Sequence, residues 1–143
     1  MTTTRPWPEL WRRFAPGERV CLAGAAGEPT AALDALAEDP ELGRGLRFTG
    51  VWLPGVNRRD PTAGVPDASA DVMFVTPELR NGFAEGRVRH LPLHYSDAHR
   101  WLAGPAELDH AVLRVSPPED GCVTPGLACD FLPALLASGA RLI

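Results

Sequence analysis

The residues of this 143-residue chain that are suited to chemistry are concentrated in three loops rich in glycine and proline. The first loop is Gly24–Glu28, which follows a short apolar run. Gly24 and Gly27 allow a ligand to approach the backbone, and the helix expected after them offers free N–H groups to an anion. A tight turn in which Glu28 stabilises the dipole of that helix explains the same residues. The loop lacks GxGxxG spacing, so it does not indicate a dinucleotide site.

The second loop consists of Pro54, Gly55, Val56 and Asn57. The Pro–Gly pair favours a turn, and the loop is polar at its end. Two arginines follow at once, Arg58 and Arg59, and their forked guanidinium groups suit a carboxylate or a phosphate. Adjacent arginines also occur on solvated surfaces, so both interpretations stay open.

The third loop contains Ser116, Pro117 and Pro118 after another apolar run. Consecutive prolines restrict the backbone, as a site with small positional tolerance requires. No GxSxG motif surrounds Ser116, so we do not expect it to be a hydrolase nucleophile. Glu119 and Asp120 are neighbours, and sequence alone does not place them as an acid–base pair across a substrate. A rigid loop without chemistry is the alternative.

Histidine and cysteine spacing does not favour a metal site. His90 and His94 are four residues apart, but Pro92 lies between them and favours an extended segment. Four extended residues span about 13 Å, too far for one ion. The three cysteines, at positions 21, 122 and 129, have no CxxC spacing, which favours a reduced protein with Cys21 in its core.

Composition excludes several classes of function. The net charge is −4 and all fourteen basic residues are arginine, which argues against a nucleic-acid surface and excludes lysine Schiff-base chemistry. No apolar stretch has the roughly 20 residues that a membrane helix needs, and the N-terminus has no apolar signal region. We therefore expect a cytoplasmic protein that binds neither nucleic acid nor a membrane. The four tryptophans, interleaved with apolar positions, are expected to pack in the core.

Short β-rich runs alternate with helix-like segments along the whole chain. Strands are predicted at 19–23, 46–53, 71–75, 87–93, 111–115 and 141–143, and helices at 8–14, 29–38, 76–85, from Ser96 onwards and at 131–138. N-caps are predicted at Thr76 and Ser96. This alternation predicts an α/β fold with an open, mainly parallel sheet and helices on both faces. In such sheets ligands bind beyond the carboxyl ends of the strands, where the three loops are expected.

We expect a single domain over residues 1–143. The chain stops at Ile143, three residues into an apolar run, which predicts that it is part of a longer protein.

Three segments resemble the acetyl-CoA hydrolase/transferase family, which includes acetate and 4-hydroxybutyrate CoA-transferases. They are 17–29 (GERVCLAGAAGEP), 83–96 (FAEGRVRHLPLHYS) and 111–126 (AVLRVSPPEDGCVTPG), the last followed by Asp130 and Phe131. The third is similar to the family's "VSPPD..G….G…D" signature. The resemblance covers essentially the whole chain but only the N-terminal half of a typical family member.

The resemblance implies a reaction. In this family a glutamate attacks an acyl-CoA thioester, and the enzyme then carries CoA as a glutamyl thioester until a carboxylate or water completes the turnover. The family's nucleophilic glutamate and its glycine-rich CoA-binding segment lie in the C-terminal half. No glutamate here has that context, so Glu28, Glu85 and Glu119 are not assigned the role.

We therefore expect the N-terminal domain of a CoA-transferase or acyl-CoA hydrolase of acetate metabolism, with no catalytic or metal-binding residue of its own. Its cleft-lining residues are expected to be Gly24, Gly27, Glu28, Pro54, Gly55, Val56, Asn57, Ser116, Pro117 and Pro118. Coenzyme A is the expected substrate rather than a tightly bound cofactor. The expected partners are an acyl-CoA, a small carboxylate, a C-terminal catalytic half in the same or another chain, and further copies in a homo-oligomer. The alternatives are a non-catalytic interaction or regulatory domain and a sugar-phosphate isomerase-like relative.

Overall fold

The structure, a computed structural model, describes residues 5–127 and 129–143. Residues 1–4 lie outside the described residues. They begin the N-terminal segment in which no apolar signal region is expected. The helices are α1 (Trp7–Trp11), α2 (Thr30–Glu38), α3 (Arg80–Ala84), α4 (Tyr95–Ala103) and α5 (Leu132–Ala137). The strands are β1 (Arg19–Leu22), β2 (Arg47–Gly50), β3 (Ser69–Val72), β4 (Val88–His90), β5 (His110–Val112) and β6 (Arg141–Leu142). Three 3-10 turns cover Ala25–Gly27, Pro40–Gly43 and Pro77–Leu79.

The six strands form one sheet in the order β4-β3-β2-β1-β5-β6, and every pairing is parallel. The chain builds β1 to β4 towards one edge of the sheet and then returns to place β5 on the other side of β1. This confirms the predicted α/β fold. The order of the strands also creates a point between β1 and β5 where successive connections leave in opposite directions.

Helices cover both faces of the sheet, as predicted. On one face α1 and α2 pack over Val20, Phe48 and Val72, and on the other face α4 and α5 pack over Cys21 and Ala111. Because side chains alternate along a strand, Val20 and Cys21 belong to different cores. Both are buried, which explains why β1 has no polar residue after Arg19. None of the helices in the described segments has the length and apolar character that a bilayer span requires.

The tryptophans follow the prediction of core packing. Trp11 and Trp52 are buried, and Trp7 and Trp101 pack against the two cores. The indole N–H of Trp11 donates to the carbonyl oxygen of Ala32 at 2.9 Å, which attaches α1 to α2.

Of the two predicted N-caps, Thr76 occupies the N-cap position without making the capping hydrogen bond, and Ser96 does not occupy it. Thr76 precedes a 3-10 turn with Pro77 in its first position, but its buried hydroxyl has no hydrogen-bond partner among the described residues. In this turn the Leu79 N–H, which a capping side chain would bind, is taken by the carbonyl oxygen of Thr76 at 3.1 Å. Helix α4 begins at Tyr95, one residue before the predicted Ser96 cap.

Candidate functional site

The carboxyl ends of β2, β1 and β5 lie side by side, and the three predicted loops follow them. Register pairs Cys21 of β1 with Thr49 of β2 and with Ala111 of β5. Beyond β1, the Ala23 N–H donates to the carbonyl oxygen of Val112 at 3.1 Å. In open parallel sheets a ligand crevice forms where the strand order reverses, which here is between β1 and β5.

The turn after β1 lies directly against the segment after β2. Gly24 has an extended backbone, and a Cβ added to it would stand 2.0 Å from the carbonyl oxygen of Val51. Only glycine fits this contact. The next three residues form the 3-10 turn Ala25–Gly27, in which the Gly27 N–H donates to the Gly24 carbonyl at 2.9 Å. A 3-10 turn therefore stands between β1 and α2 where the sequence predicted a loop leading into a helix.

Asn57 holds this turn to the loop after β2. Its side chain is buried, and its Oδ1 accepts from the backbone N–H groups of Ala25 at 3.1 Å and Leu53 at 2.8 Å. Its Nδ2 donates to the carbonyl oxygen of Ala25 at 3.1 Å. The Pro–Gly pair before it forms a turn in which Gly55 has φ +78°, as the third position of a type II turn requires. The exposed tip of the loop consists of Pro54, Gly55 and Val56.

Glu28 turns towards α2 and the second loop. One of its carboxylate oxygens, Oε1, is buried without a hydrogen-bond partner in the described part of the chain. Burial raises the pKa of Glu28, the Asn57 amide and the Arg59 guanidinium act in the opposite direction, and Asp34 adds to the rise. The guanidinium of Arg59 is already paired with the carboxylate of Asp34 on α2. Arg58, in contrast, is exposed.

The third loop is a small hairpin. The Ser116 N–H donates to the carbonyl oxygen of Thr124 at 2.8 Å, and Glu119 pairs with Cys122 across the tip. Asp120 and Gly121 both have positive φ, 48° and 77°, the conformation of a type I′ turn. The Ser116 hydroxyl accepts from the Thr124 N–H at 3.0 Å and donates to the Pro117 carbonyl at 3.1 Å. Both of its hydrogen bonds therefore fix the base of the hairpin.

Two spaces open between these elements. The inner cavity, of about 30 Å³, lies between the end of β1 and α5, and apolar side chains that include Leu102, Leu113 and Phe131 line it. The outer cleft, of about 440 Å³, lies between the 3-10 turn Ala25–Gly27 and the base of the hairpin. Its size is in the range of small-molecule sites, whereas the inner cavity has room for about two waters.

The structure brings together only part of the predicted set. Gly24 lines the inner cavity, Ser116 lines the outer cleft, and Gly27 lines both. The remaining predicted residues line neither space: Glu28, Pro54, Gly55, Val56, Asn57, Pro117 and Pro118.

Sequence reasoning missed a charged residue that lines both spaces. Arg114, two residues beyond β5, lines the inner cavity and the outer cleft, and its side chain is exposed. The available signal was a charged residue that interrupts the apolar run 111–115 near its carboxyl end. Thr124 and the residues that follow it line the other side of the outer cleft, and their sequence predicts only a loop.

Metal-ligating side chains do not gather at this site. Within residues 5–127 and 129–143 no group of three or more His, Cys, Asp or Glu residues could hold an ion. The Nε2 atom of His90 lies 3.1 Å from the carbonyl oxygen of Met73. Burial raises the pKa of the Cys21 thiol to about 12, so this side chain behaves as a small apolar core residue.

Comparison with solved structures supports the same architecture. RipA from Yersinia pestis superposes with a TM-score of 0.74 at 24% sequence identity, over 96% of this chain and 35% of the RipA chain. Two singly substituted RipA variants give TM-scores of 0.76 and 0.75 at 23% and 24% identity, each over 96% of this chain and 34% of theirs. The chain thus spans about a third of the length of these relatives. At this identity the likeness shows the fold.

No curated protein matches the chain. The family described as the acetyl-CoA hydrolase/transferase N-terminal domain matches residues 6–143, which is nearly the whole sequence. The sequence resemblance and the parallel sheet agree with this match. The chain therefore belongs to the acetyl-CoA hydrolase/transferase N-terminal domain family.

Proposed function

We propose that this domain supplies one wall of the active-site cleft of a CoA-transferase or acyl-CoA hydrolase. The supporting observation is the position of the outer cleft, at the carboxyl ends of β1 and β5, where the strand order reverses. The two elements that border this cleft, the turn after β1 and the hairpin after β5, belong to segments that resemble the family.

The proposed reaction uses a glutamate outside this chain. Its carboxylate attacks the thioester carbonyl of the acyl-CoA, and the C–S bond breaks to give a mixed anhydride and CoA thiolate. The thiolate then attacks the glutamyl carbonyl, releasing the first carboxylate and leaving CoA on the enzyme as a thioester. In a transferase an acceptor carboxylate attacks the glutamyl thioester and releases CoA thiolate. The thiolate then attacks the acceptor carbonyl of the new mixed anhydride, which forms the new acyl-CoA and frees the glutamate. In a hydrolase water attacks the glutamyl carbonyl and releases CoA.

The glutamates of this chain are poorly placed for such an attack. In the segments that the structure describes, no glutamate lines the inner cavity or the outer cleft. Glu28 turns to Asn57 and Arg59, Glu85 accepts hydrogen bonds from Arg87, and Glu119 lies at the exposed tip of the hairpin. This domain would therefore contribute binding surface, while the covalent step would occur on the C-terminal half.

We extend the proposal to the setting of the reaction. Coenzyme A would enter as a substrate and not as a tightly bound cofactor. The protein would act in the cytoplasm on acetate or a similar small acid, as a homo-oligomer in which a C-terminal catalytic half, in the same or a separate chain, faces the outer cleft.

The experiment is a titration of the ¹⁵N-labelled chain with acetyl-CoA. The proposal expects amide shifts concentrated in the turn after β1 and the hairpin after β5. Ala26 is exposed and lines the outer cleft, so Ala26→Trp should fill the cleft and weaken binding by about tenfold or more. Ala31→Trp, at an exposed position of α2, is the matched control and should change the affinity by less than about twofold.

Two other results would overturn the proposal. Shifts with ribose 5-phosphate but none with acetyl-CoA would favour the isomerase-like alternative, and no response to either would favour a non-catalytic domain.

A separate assay tests the external nucleophile. The chain should not transfer label from acetate to acetyl-CoA by itself. Exchange above the solution blank, or an acyl or CoA adduct trapped on one of its side chains, would contradict an external nucleophile.

A further inference from the structure

Arg114 stands at the boundary between the inner cavity and the outer cleft. It lines both spaces and is the only charged residue along the described wall of the outer cleft. The other lining residues of that cleft are small, apolar or neutral polar: Ala26, Gly27, Val115, Ser116, Thr124, Pro125, Gly126 and Leu127. The wall of the outer cleft therefore carries one positive charge among neutral residues, which favours a singly charged anion.

The guanidinium of Arg114 is available to a ligand. No carboxylate in the described segments forms an ion pair with it, and no side-chain hydrogen bond engages it there. Several other arginines are paired: Arg44 with Glu41, Arg59 with Asp34, Arg87 with Glu85, Arg89 with Asp71 and Arg100 with Asp97. An arginine has five N–H donors in a planar fork, which matches the two oxygens of a carboxylate.

The inner cavity limits what can be attached to that carboxylate. It has room for about two waters, which corresponds to a methyl or ethyl group, and its wall is mostly apolar. The one acidic residue on this wall is Asp130, which accepts a hydrogen bond from the hydroxyl of Tyr95 at 3.4 Å. An acid whose carboxylate faces Arg114 would therefore direct a short apolar tail into the inner cavity.

We propose that Arg114 is a specificity-determining residue of this cleft, which binds the carboxylate of the small acid while the inner cavity accepts its tail. This proposal rests on the proposed function, since it assigns one substrate of that reaction to one side chain. The phosphates of CoA are a second source of an anion for the same guanidinium, and the experiment separates the two.

The experiment follows the Nε–H signal of Arg114 in the chain with ¹⁵N-labelled arginine side chains. Acetate or propionate should shift this signal, and trimethylacetate, whose tail exceeds the inner cavity, should bind about tenfold more weakly. Arg114→Gln should weaken acetate binding by about tenfold or more, and Arg114→Lys should restore part of it. Arg80→Gln is the control, because Arg80 is exposed on α3 and lines neither space. Equal melting temperatures establish that the variants fold.

Unchanged acetate binding in folded Arg114→Gln would overturn the proposal. So would a signal that responds to CoA and inorganic phosphate but not to acetate, since the anion would then be a phosphate. The failure of the proposed function is distinguishable: acetyl-CoA would leave the turn after β1 and the hairpin after β5 unshifted, while acetate still shifted Arg114. If acetyl-CoA shifts both loops but acetate leaves the arginine signal unmoved, only the role of Arg114 is overturned.

Discussion

The side chain of Asn57 contacts the backbone of Ala25 through both of its polar atoms, accepting from the N–H and donating to the carbonyl oxygen at 3.1 Å each. The two residues belong to loops that follow different strands, so this reciprocal contact sets the position of the turn that borders the outer cleft. An asparagine matches both backbone groups because its amide carries an acceptor and a donor.

Replacing this amide should destabilise the protein. Asn57→Ala removes the partners of three backbone groups around a buried side chain, and we expect the free energy of unfolding to fall by about 3 kcal/mol. Urea denaturation measures the change. Asn81→Ala, at an exposed position of α3, should stay within about 0.5 kcal/mol of the unsubstituted protein. An equally small change for Asn57→Ala would show that water replaces the lost contacts.

Gly24 should not tolerate a side chain. The added methyl group of Gly24→Ala would meet the Val51 carbonyl oxygen at 2.0 Å, and backbone atoms must move to relieve this overlap. We expect a loss of about 3 kcal/mol or more, measured by thermal or urea unfolding. Ala26→Ser adds one atom at an exposed position of the same turn and should cost less than about 0.5 kcal/mol. Similar losses for the two variants would contradict the packing argument.

The cysteines should differ in reactivity. Cys21 is buried and its pKa is raised to about 12, whereas Cys122 and Cys129 are exposed. At about pH 8, DTNB should modify two thiols of the native chain quickly and the third only after unfolding. Peptide mass spectrometry would identify the slow residue as Cys21. Rapid modification of all three thiols would mean that β1 opens readily.

The pH dependence of stability should report on Glu28. Burial raises the pKa of Glu28 above its usual 4.5, so the folded protein binds this proton more tightly than the unfolded chain. The contribution of Glu28 to stability is therefore greatest below the unfolded pKa and falls as the pH rises from about 4.5 through the raised folded value. Glu28→Gln cannot ionise and therefore does not lose stability in this way as the pH rises.

The melting temperature of Glu28→Gln should accordingly exceed that of the unsubstituted protein at about pH 7, and the difference should shrink at about pH 4. Differential scanning fluorimetry across this range measures both values. Glu38→Gln, at an exposed position of α2, serves as the surface control. A variant that is less stable at neutral pH would show that the ionised carboxylate of Glu28 is favourable in the folded state.

The fold could be predicted because the strands are buried on both faces. In β1 the consecutive residues Val20, Cys21 and Leu22 are all buried, which produces a continuous apolar run that cannot belong to an exposed strand. The ends of the strands were less predictable. The segment 46–53 is predicted as one strand, but β2 ends at Gly50 because the chain then turns beside Gly24. This close approach is a tertiary contact that no local pattern contains.

The site could be predicted only at the level of loops. Alternating strands and helices place the three loops at one end of the sheet, but they do not determine that β5 pairs with β1. That pairing puts Arg114 beside the turn after β1, so the proposed role of this arginine cannot be inferred without the strand order. In the same way the sequence marks Asn57 as polar, while its contact with Ala25 depends on how two loops meet.

The return of the chain to place β5 beside β1 has a consequence for the order of synthesis. The Arg19 N–H donates to a carboxylate oxygen of Asp109, a contact that spans 90 residues. A nascent chain emerging from a ribosome can pair β1 to β4 in sequence, each with its predecessor, before β5 exists. Of these pairings, the one between β1 and β5 closes the longest loop and so costs the most chain entropy. We therefore expect it to be the slowest. The segment from β5 onwards, which carries Arg114, is therefore the last to join, and a translational pause before residue 109 would leave four paired strands without the outer cleft.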